Sequence, residues 1–166
     1  MLKNETRFNK LVSIILENEG GDKLTDNSKD PGGVTKYGIS KKYNPEVDIK
    51  NLTELQAKQI YLKKYYLPCG ADDVNDDELA LNLFDSAVNP GLGWINKTVQ
   101  KFVKVIPDGS IGPKTIEAIN KHWDKKSLIA LIKVSRKEYY RNKVKENPAK
   151  AVFLKGWLRR VDDLKI

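Results

Sequence analysis

Residues 8–21 read Phe8-Asn9-Lys10-Leu11-Val12-Ser13-Ile14-Ile15-Leu16-Glu17-Asn18-Glu19-Gly20-Gly21, and the rest of the chain is organised around how this stretch ends. Phe8, Val12 and Ile15 recur at helical spacing, and Glu19 continues their stripe. At about 100° per residue, Glu19 lies only some 20° around the helix from Phe8, whereas Glu17 points to the opposite, solvated side. A carboxylate on a core-facing stripe is costly unless it is paired or protonated. Gly20 and Gly21 then stop the helix and strip side chains from the surface beside Glu19, where a ligand can approach. The same residues also read as an ordinary helix end with an exposed glutamate, and the stretch alone leaves both readings open.

The chain as a whole narrows the chemistry. At 166 residues it holds one domain, or two small closely packed ones, with enough length to bury a core. A composition of 40% hydrophobic and 31% charged residues is that of a globular protein. No apolar run approaches the ~20 residues that span a bilayer, so stable membrane insertion is not expected. The start, Met1-Leu2-Lys3-Asn4-Glu5-Thr6-Arg7, lacks the apolar core and cleavage site of a signal peptide, which points to synthesis in the cytoplasm without a leader. A lone cysteine, Cys69, excludes an intramolecular disulfide and a thiolate metal cluster, and a lone histidine, His122, excludes a His-rich metal site. No metal or cofactor is therefore expected, and the carboxylates are left to do the chemistry. The net charge of +8 favours a polyanionic partner such as nucleic acid, an anionic membrane or a bacterial wall. Its lysines are scattered along the helices rather than gathered into an arm or stripe, and no DNA-reading motif accompanies them. Nucleic acid is accordingly not expected as a partner.

Taken in order, the first helix runs from about Asn4 to Asn18. Residues 22–40 are polar and rich in turn formers, with Asp30-Pro31-Gly32-Gly33 as the strongest turn and short β pairing expected around Leu24 and Val34–Ile39. Ser40 or Lys41 begins a short helical turn that ends before Asn44-Pro45. Thr53-Glu54-Leu55-Gln56 is a capping box opening a helix to about Tyr66. Asp76-Asp77-Glu78 forms the acidic first turn of a helix reaching Val88, apolar on nearly every side and hence central. On it Asp85 and Asn89, four residues apart, share the remaining polar strip, either as buried hydrogen-bonding groups or a helix cap, or as substrate contacts. After the break Asn89-Pro90-Gly91, further helices are expected at Trp94–Val105, from Pro113 to about Trp123, from Ser127 to about Lys145, and from Asn147-Pro148 onward.

Several motifs coincide in a fixed order. Glu19-Gly20-Gly21 precedes Asp30-Pro31-Gly32-Gly33-Val34-Thr35-Lys36-Tyr37-Gly38-Ile39, then Phe84-Asp85-Ser86-Ala87-Val88-Asn89, Asp108-Gly109-Ser110-Ile111-Gly112-Pro113 and Gly156-Trp157-Leu158-Arg159-Arg160. Together they resemble glycoside hydrolase family 108 over nearly the whole chain. The resemblance implies a mainly α, lysozyme-like fold with a short loop or β-hairpin after the first helix. Residues 1–89 would form the catalytic part and residues 90–166 a peptidoglycan-binding helical part packed with it. It implies an N-acetylmuramidase, a lysozyme of endolysin type that cuts the β-1,4 bond between N-acetylmuramic acid and N-acetylglucosamine in the bacterial cell wall. Peptidoglycan is then the partner, the protein a monomer, and a holin or another export route carries it to the wall.

The family's catalytic glutamate maps onto Glu19. Where the family commonly has Tyr after the two glycines, this chain has Asp22, which puts a sugar-stacking surface there in doubt. Hydrolysis near neutral pH needs a carboxylic acid that keeps its proton for the leaving oxygen, a condition that desolvation and the negative end of a helix both favour. Glu19 occupies such a position. Asp30 is the first candidate for the second carboxylate, with Asp22 and Asp26 as alternatives, and Asp30 also reads as a plain turn residue. Thr35 resembles the threonine that holds the attacking water in phage-type lysozymes, and Tyr37 either lines the sugar cleft or packs beneath the loop. Trp157 reads as a core anchor, and Arg159 and Arg160 as partners for carboxylates that tie down the tail. The competing reading is a non-catalytic wall-binding or structural protein that keeps the fold.

Overall fold

The computed structural model describes residues 2–26 and 33–166. The chain divides into two compact units, Glu5–Lys64 and a larger helical unit comprising Tyr65–Ile166 with the N-terminal residues through Asn4. Among the described residues no helix is long and apolar enough to cross a membrane.

The first unit begins with α1, Glu5–Asn18, which buries Phe8, Leu11, Val12, Ile15 and Leu16 along the stripe read from the sequence. It ends in two bonds that use the orphan carbonyls of the last turn. The Gly20 amide donates to the Glu17 carbonyl at 3.1 Å and the Gly21 amide to the Leu16 carbonyl at 2.8 Å. Gly20 has φ +94°, a left-handed conformation in which a Cβ would be strained. Glu19 is thus the capping residue itself. A hairpin follows, β1 (Thr35–Lys36) antiparallel to β2 (Ile39–Ser40), with Thr35 opposite Ser40 and Lys36 opposite Ile39. Thr25 forms an isolated bridge to Thr35 on the outer side. The pairing expected around Leu24 and Val34–Ile39 is therefore present. Of the two residues expected to open the next turn, Ser40 closes β2, its backbone committed to the ladder, and the turn begins at Lys41.

Helix α2, Glu54–Tyr61, opens on the expected capping box: the Gln56 amide donates to Thr53 Oγ1, and the Thr53 amide to Gln56 Oε1. Its helical path widens into a π turn over Leu62–Tyr66. In the larger unit α3, Asp77–Ser86, is capped by the Asp76 side chain. Every residue from Leu79 to Ala87 is buried, as an all-round apolar helix requires. Next come α4 (Leu92–Phe102), α5 (Pro113–Lys121), α6 (Lys125–Glu146) and α7 (Ala151–Asp163). Helix α4 stops at Phe102 rather than Val105. Lys104 takes φ +57°, and the Val105 amide reaches back to the Gln100 carbonyl at 3.0 Å, closing the helix end as Gly20 and Gly21 do for α1. The architecture is mainly α with one short hairpin directly after the first helix, the lysozyme-like class expected.

Candidate active site

Three elements of the first unit converge on Glu19. Its amide donates to the Ile15 carbonyl at 3.0 Å, which continues the helical ladder and fixes where the side chain leaves the backbone. The side chain is half-buried. Across from it stands the hairpin tip, Tyr37-Gly38, where two consecutive left-handed residues (φ +53° and +72°) build the two-residue turn between β1 and β2. The position of Tyr37 is unusual for a bulky residue, since αL costs a non-glycine side chain about 1–2 kcal/mol. Two bonds hold the tip: the Tyr37 amide donates to the Gly21 carbonyl at 3.1 Å, and the phenol of buried Tyr61 on α2 donates to the Tyr37 carbonyl at 2.8 Å.

Gly38 makes the approach possible. A Cβ built on it would lie 2.7 Å from Glu19 Oε2, 2.8 Å from Glu19 Cβ and 2.8 Å from the Tyr61 hydroxyl oxygen, all closer than real Cβ contacts. The hairpin backbone therefore forms one wall against the Glu19 carboxyl group, and only a residue without a side chain can do so. Gly21 contributes from both sides of this arrangement: its amide closes α1 and its carbonyl fastens the hairpin.

The other sequence candidates are distributed as follows. Asp30 lies outside the described residues. Thr35 is half-buried in β1, and its hydroxyl donates to the Gly33 carbonyl at 3.1 Å. Tyr37 is half-buried at the hairpin tip, with the Lys36 ammonium 5.5 Å from its ring centre. Asp22 and Asp26 are both exposed. Glu19, Thr35 and Tyr37 thus belong to one local framework of helix end and hairpin.

Asp85 sits in a different setting, in the larger unit and fully buried. Its carboxylate accepts from Arg136 Nη1 on α6 at 2.5 Å and from Arg160 Nη2 on α7 at 2.7 Å. Arg136 also donates through Nε to the Tyr140 hydroxyl at 2.9 Å. That hydroxyl in turn lies 3.0 Å from the Asn89 carbonyl oxygen, which it donates to. Asp85 and Asn89 therefore belong to one buried network joining α3, α6, α7 and the Asn89-Pro90 break, with no exposed surface on Asp85 for a ligand. Of the two tail arginines, Arg160 makes the expected carboxylate pair, whereas Arg159 is exposed. Trp157 stacks on Tyr140, with ring centres 5.1 Å apart.

Sequence reasoning missed Gly38 and Tyr61. Tyr61 lies inside the helix expected from the capping box to about Tyr66, and the target of its hydroxyl lies 24 positions earlier in the chain. The signal for Gly38 was the Tyr-Gly pair between two short β-forming runs, the pattern of a two-residue hairpin turn.

Residues 12–91 match the family model described as Glycosyl hydrolase 108, and residues 91–162 match the model described as Predicted Peptidoglycan domain. Among solved structures, that of Brucella abortus SagA is similar, at 30% sequence identity and a TM-score of 0.76. The similarity covers 97% of this chain and 92% of the SagA chain. No curated protein sequence matches.

Proposed function

The chain belongs to glycoside hydrolase family 108, and from that premise we propose that it hydrolyses peptidoglycan as an N-acetylmuramidase, with Glu19 as the general acid. The observation that carries the reading is the setting of Glu19: a half-buried carboxyl group at the capping position of α1, walled by the Gly38 backbone. Partial exclusion of water on one side favours delivery of a proton from a carboxylic acid, and the open side admits the glycan.

In the proposed reaction Glu19 donates its proton to the glycosidic oxygen as the bond from that oxygen to C1 of N-acetylmuramic acid breaks. A water on the opposite face of the ring forms the new bond to C1 and gives up its proton to a loop carboxylate. Asp30 is assigned that role on the sequence pattern, with Asp22 and Asp26 as the alternatives and Thr35 as the hydroxyl that orients the water. A carboxyl separation of about 6.5–9.5 Å leaves room for that water and gives inversion. Tyr37, at the hairpin tip, lines the sugar path. Residues 1–89 carry the catalysis and residues 90–166 the affinity for the wall. The protein works as a monomer at the cell wall, where its charge of +8 favours adhesion to an anionic envelope.

Digestion of purified peptidoglycan followed by mass spectrometry of the reduced products tests the bond assignment. New reducing ends on N-acetylmuramic acid are expected; reducing ends on N-acetylglucosamine would show the wrong bond to be cut. Proton NMR during the first turnovers should show the α-anomer appearing first, and a retained β-anomer rules out inversion.

A further inference from the structure

The larger unit contains an open groove of about 400 Å³ between α4 and α6, remote in sequence from Glu19. Its walls are two helix faces. Trp94, Thr98 and Lys101 follow one another at helical spacing on α4, and Glu138, Tyr139 and Asn142 do so on α6. Trp94 and Tyr139 supply an aromatic floor, half-buried, with ring centres 5.6 Å apart and planes tilted by 55°. Lys101, Glu138 and Asn142 are exposed at the rim. The groove also carries Lys143 and Glu146, which already pair with each other at 2.9 Å. Lys101 and Glu138 have no ion-pair partner among the described residues. The Lys143 ammonium also lies 5.5 Å from the Tyr139 ring centre, and the lining is mostly polar, so the groove has the volume of a ligand site but suits a charged, polar ligand rather than an apolar one.

We propose that this groove binds the peptide stem of peptidoglycan, with Lys101 taking a stem carboxylate and Glu138 the ammonium of its diamino residue. The proposal rests on the reading of peptidoglycan as the substrate, and all the lining residues fall within the segment that matches the peptidoglycan domain model. Charge and length favour the peptide over the sugars. A peptide-bearing glycan backbone offers hydroxyls and acetamides but no ions, whereas the stem carries carboxylates and an ammonium group, matching a lining with cations and anions. The α6 face from Ser135 to Glu146 is roughly 16 Å long at 1.5 Å per residue. An extended peptide of five residues covers roughly 17 Å. The small apolar side chains of the stem would lie on Trp94 and Tyr139, and Asn142 and Thr98 would bond its amides.

The test uses the full chain carrying Glu19→Gln, so that binding is read separately from turnover. A free stem pentapeptide with a diamino third residue is titrated by calorimetry, beside a peptide-free glycan of N-acetylglucosamine units, which carries no ions. The pentapeptide should bind, and Lys101→Glu or Glu138→Lys should each raise its Kd by about tenfold, with a weaker effect in high salt. Both substituted side chains are exposed, and unchanged melting by circular dichroism shows that the fold is kept. Pentapeptide binding that neither reversal weakens, no pentapeptide binding, or tighter binding of the peptide-free glycan at this groove would overturn the proposal. Failure of the wild-type chain to release reducing ends would instead refute the hydrolase reading and leave these titrations as decisive as before.

Discussion

Replacing Gly38 by alanine adds one methyl group at the point where the hairpin meets Glu19, the proposed general acid. The new Cβ would start 2.7 Å from Glu19 Oε2 and 2.8 Å from both Glu19 Cβ and the Tyr61 hydroxyl, short of ordinary 3.4 Å contact by about 0.7 Å. The carboxylate end of Glu19 can swing, but its Cβ is fixed to α1 and the Tyr61 ring is buried, so the hairpin and the carboxyl group must separate. A displacement of about 1 Å at a catalytic group costs on the order of 10²-fold in rate, so Gly38→Ala should lower kcat by roughly 10- to 100-fold. The left-handed φ of +72° adds a stability cost of about 1–2 kcal/mol, a loss of roughly 2–8 °C in Tm for a chain of this size. Gly91→Ala is the control: φ there is +129° and nothing lies within 4 Å of the added methyl, so it pays a backbone cost without touching Glu19. Initial rates of clearing of a peptidoglycan suspension, read beside thermal melting by circular dichroism, separate the two effects. A Gly38→Ala protein that clears the suspension at the wild-type rate would refute the claim that this wall positions the acid.

Other consequences follow from the same structure. Asp85→Ala leaves the Arg136 guanidinium buried without its carboxylate, a defect that typically costs 3–5 kcal/mol. The Tm should fall by about 10 °C, and a fall of less than 2 °C contradicts the network described. Burial pushes the Cys69 thiol up to about 12, so a thiol reagent at pH 8 should label it only after unfolding; prompt labelling of the native chain would show it to be accessible. The Gln100 side chain and the Ser110 amide hold Asp108 below the usual carboxylate range, and the Ser127 amide does so for Asp124. Because both folded values are depressed, their stabilisation is complete above the unfolded value of about 3.9 and is lost as the pH falls through the folded ones. Urea midpoints should therefore decline below about pH 4, and Asp108→Asn should flatten that decline; an unchanged acid slope in the variant would exclude this source.

What the sequence disclosed was whatever depends on neighbours within one or two turns. The end of α1, the capping box at Thr53 and Gln56, the acidic start of α3 and Pro113 at the start of α5 all depend on local spacing, and all are present. The prominence of Glu19 came from the same source, as the residue that extends an apolar stripe into two glycines. Features fixed by distant partners stayed hidden. Lys104 ends α4 in a left-handed backbone without the glycine that usually marks such a stop, so no residue type announces it. Asp85 finds Arg136 and Arg160 at separations of 51 and 75 residues, beyond any periodicity. The contact of Gly38 with Glu19 likewise needed the hairpin folded back on the helix end before a missing side chain acquired meaning.

The most direct test of the account is zymography of the full chain on gels containing purified peptidoglycan, comparing wild type with Glu19→Gln. Glutamine keeps the volume and hydrogen-bonding reach of Glu19 but has no proton to deliver. The wild type should leave a cleared band. Glu19→Gln should leave none, while still sedimenting with the insoluble wall and melting at nearly the wild-type temperature. A cleared band of wild-type intensity from Glu19→Gln contradicts the central claim, because the proton would then have to come from another group.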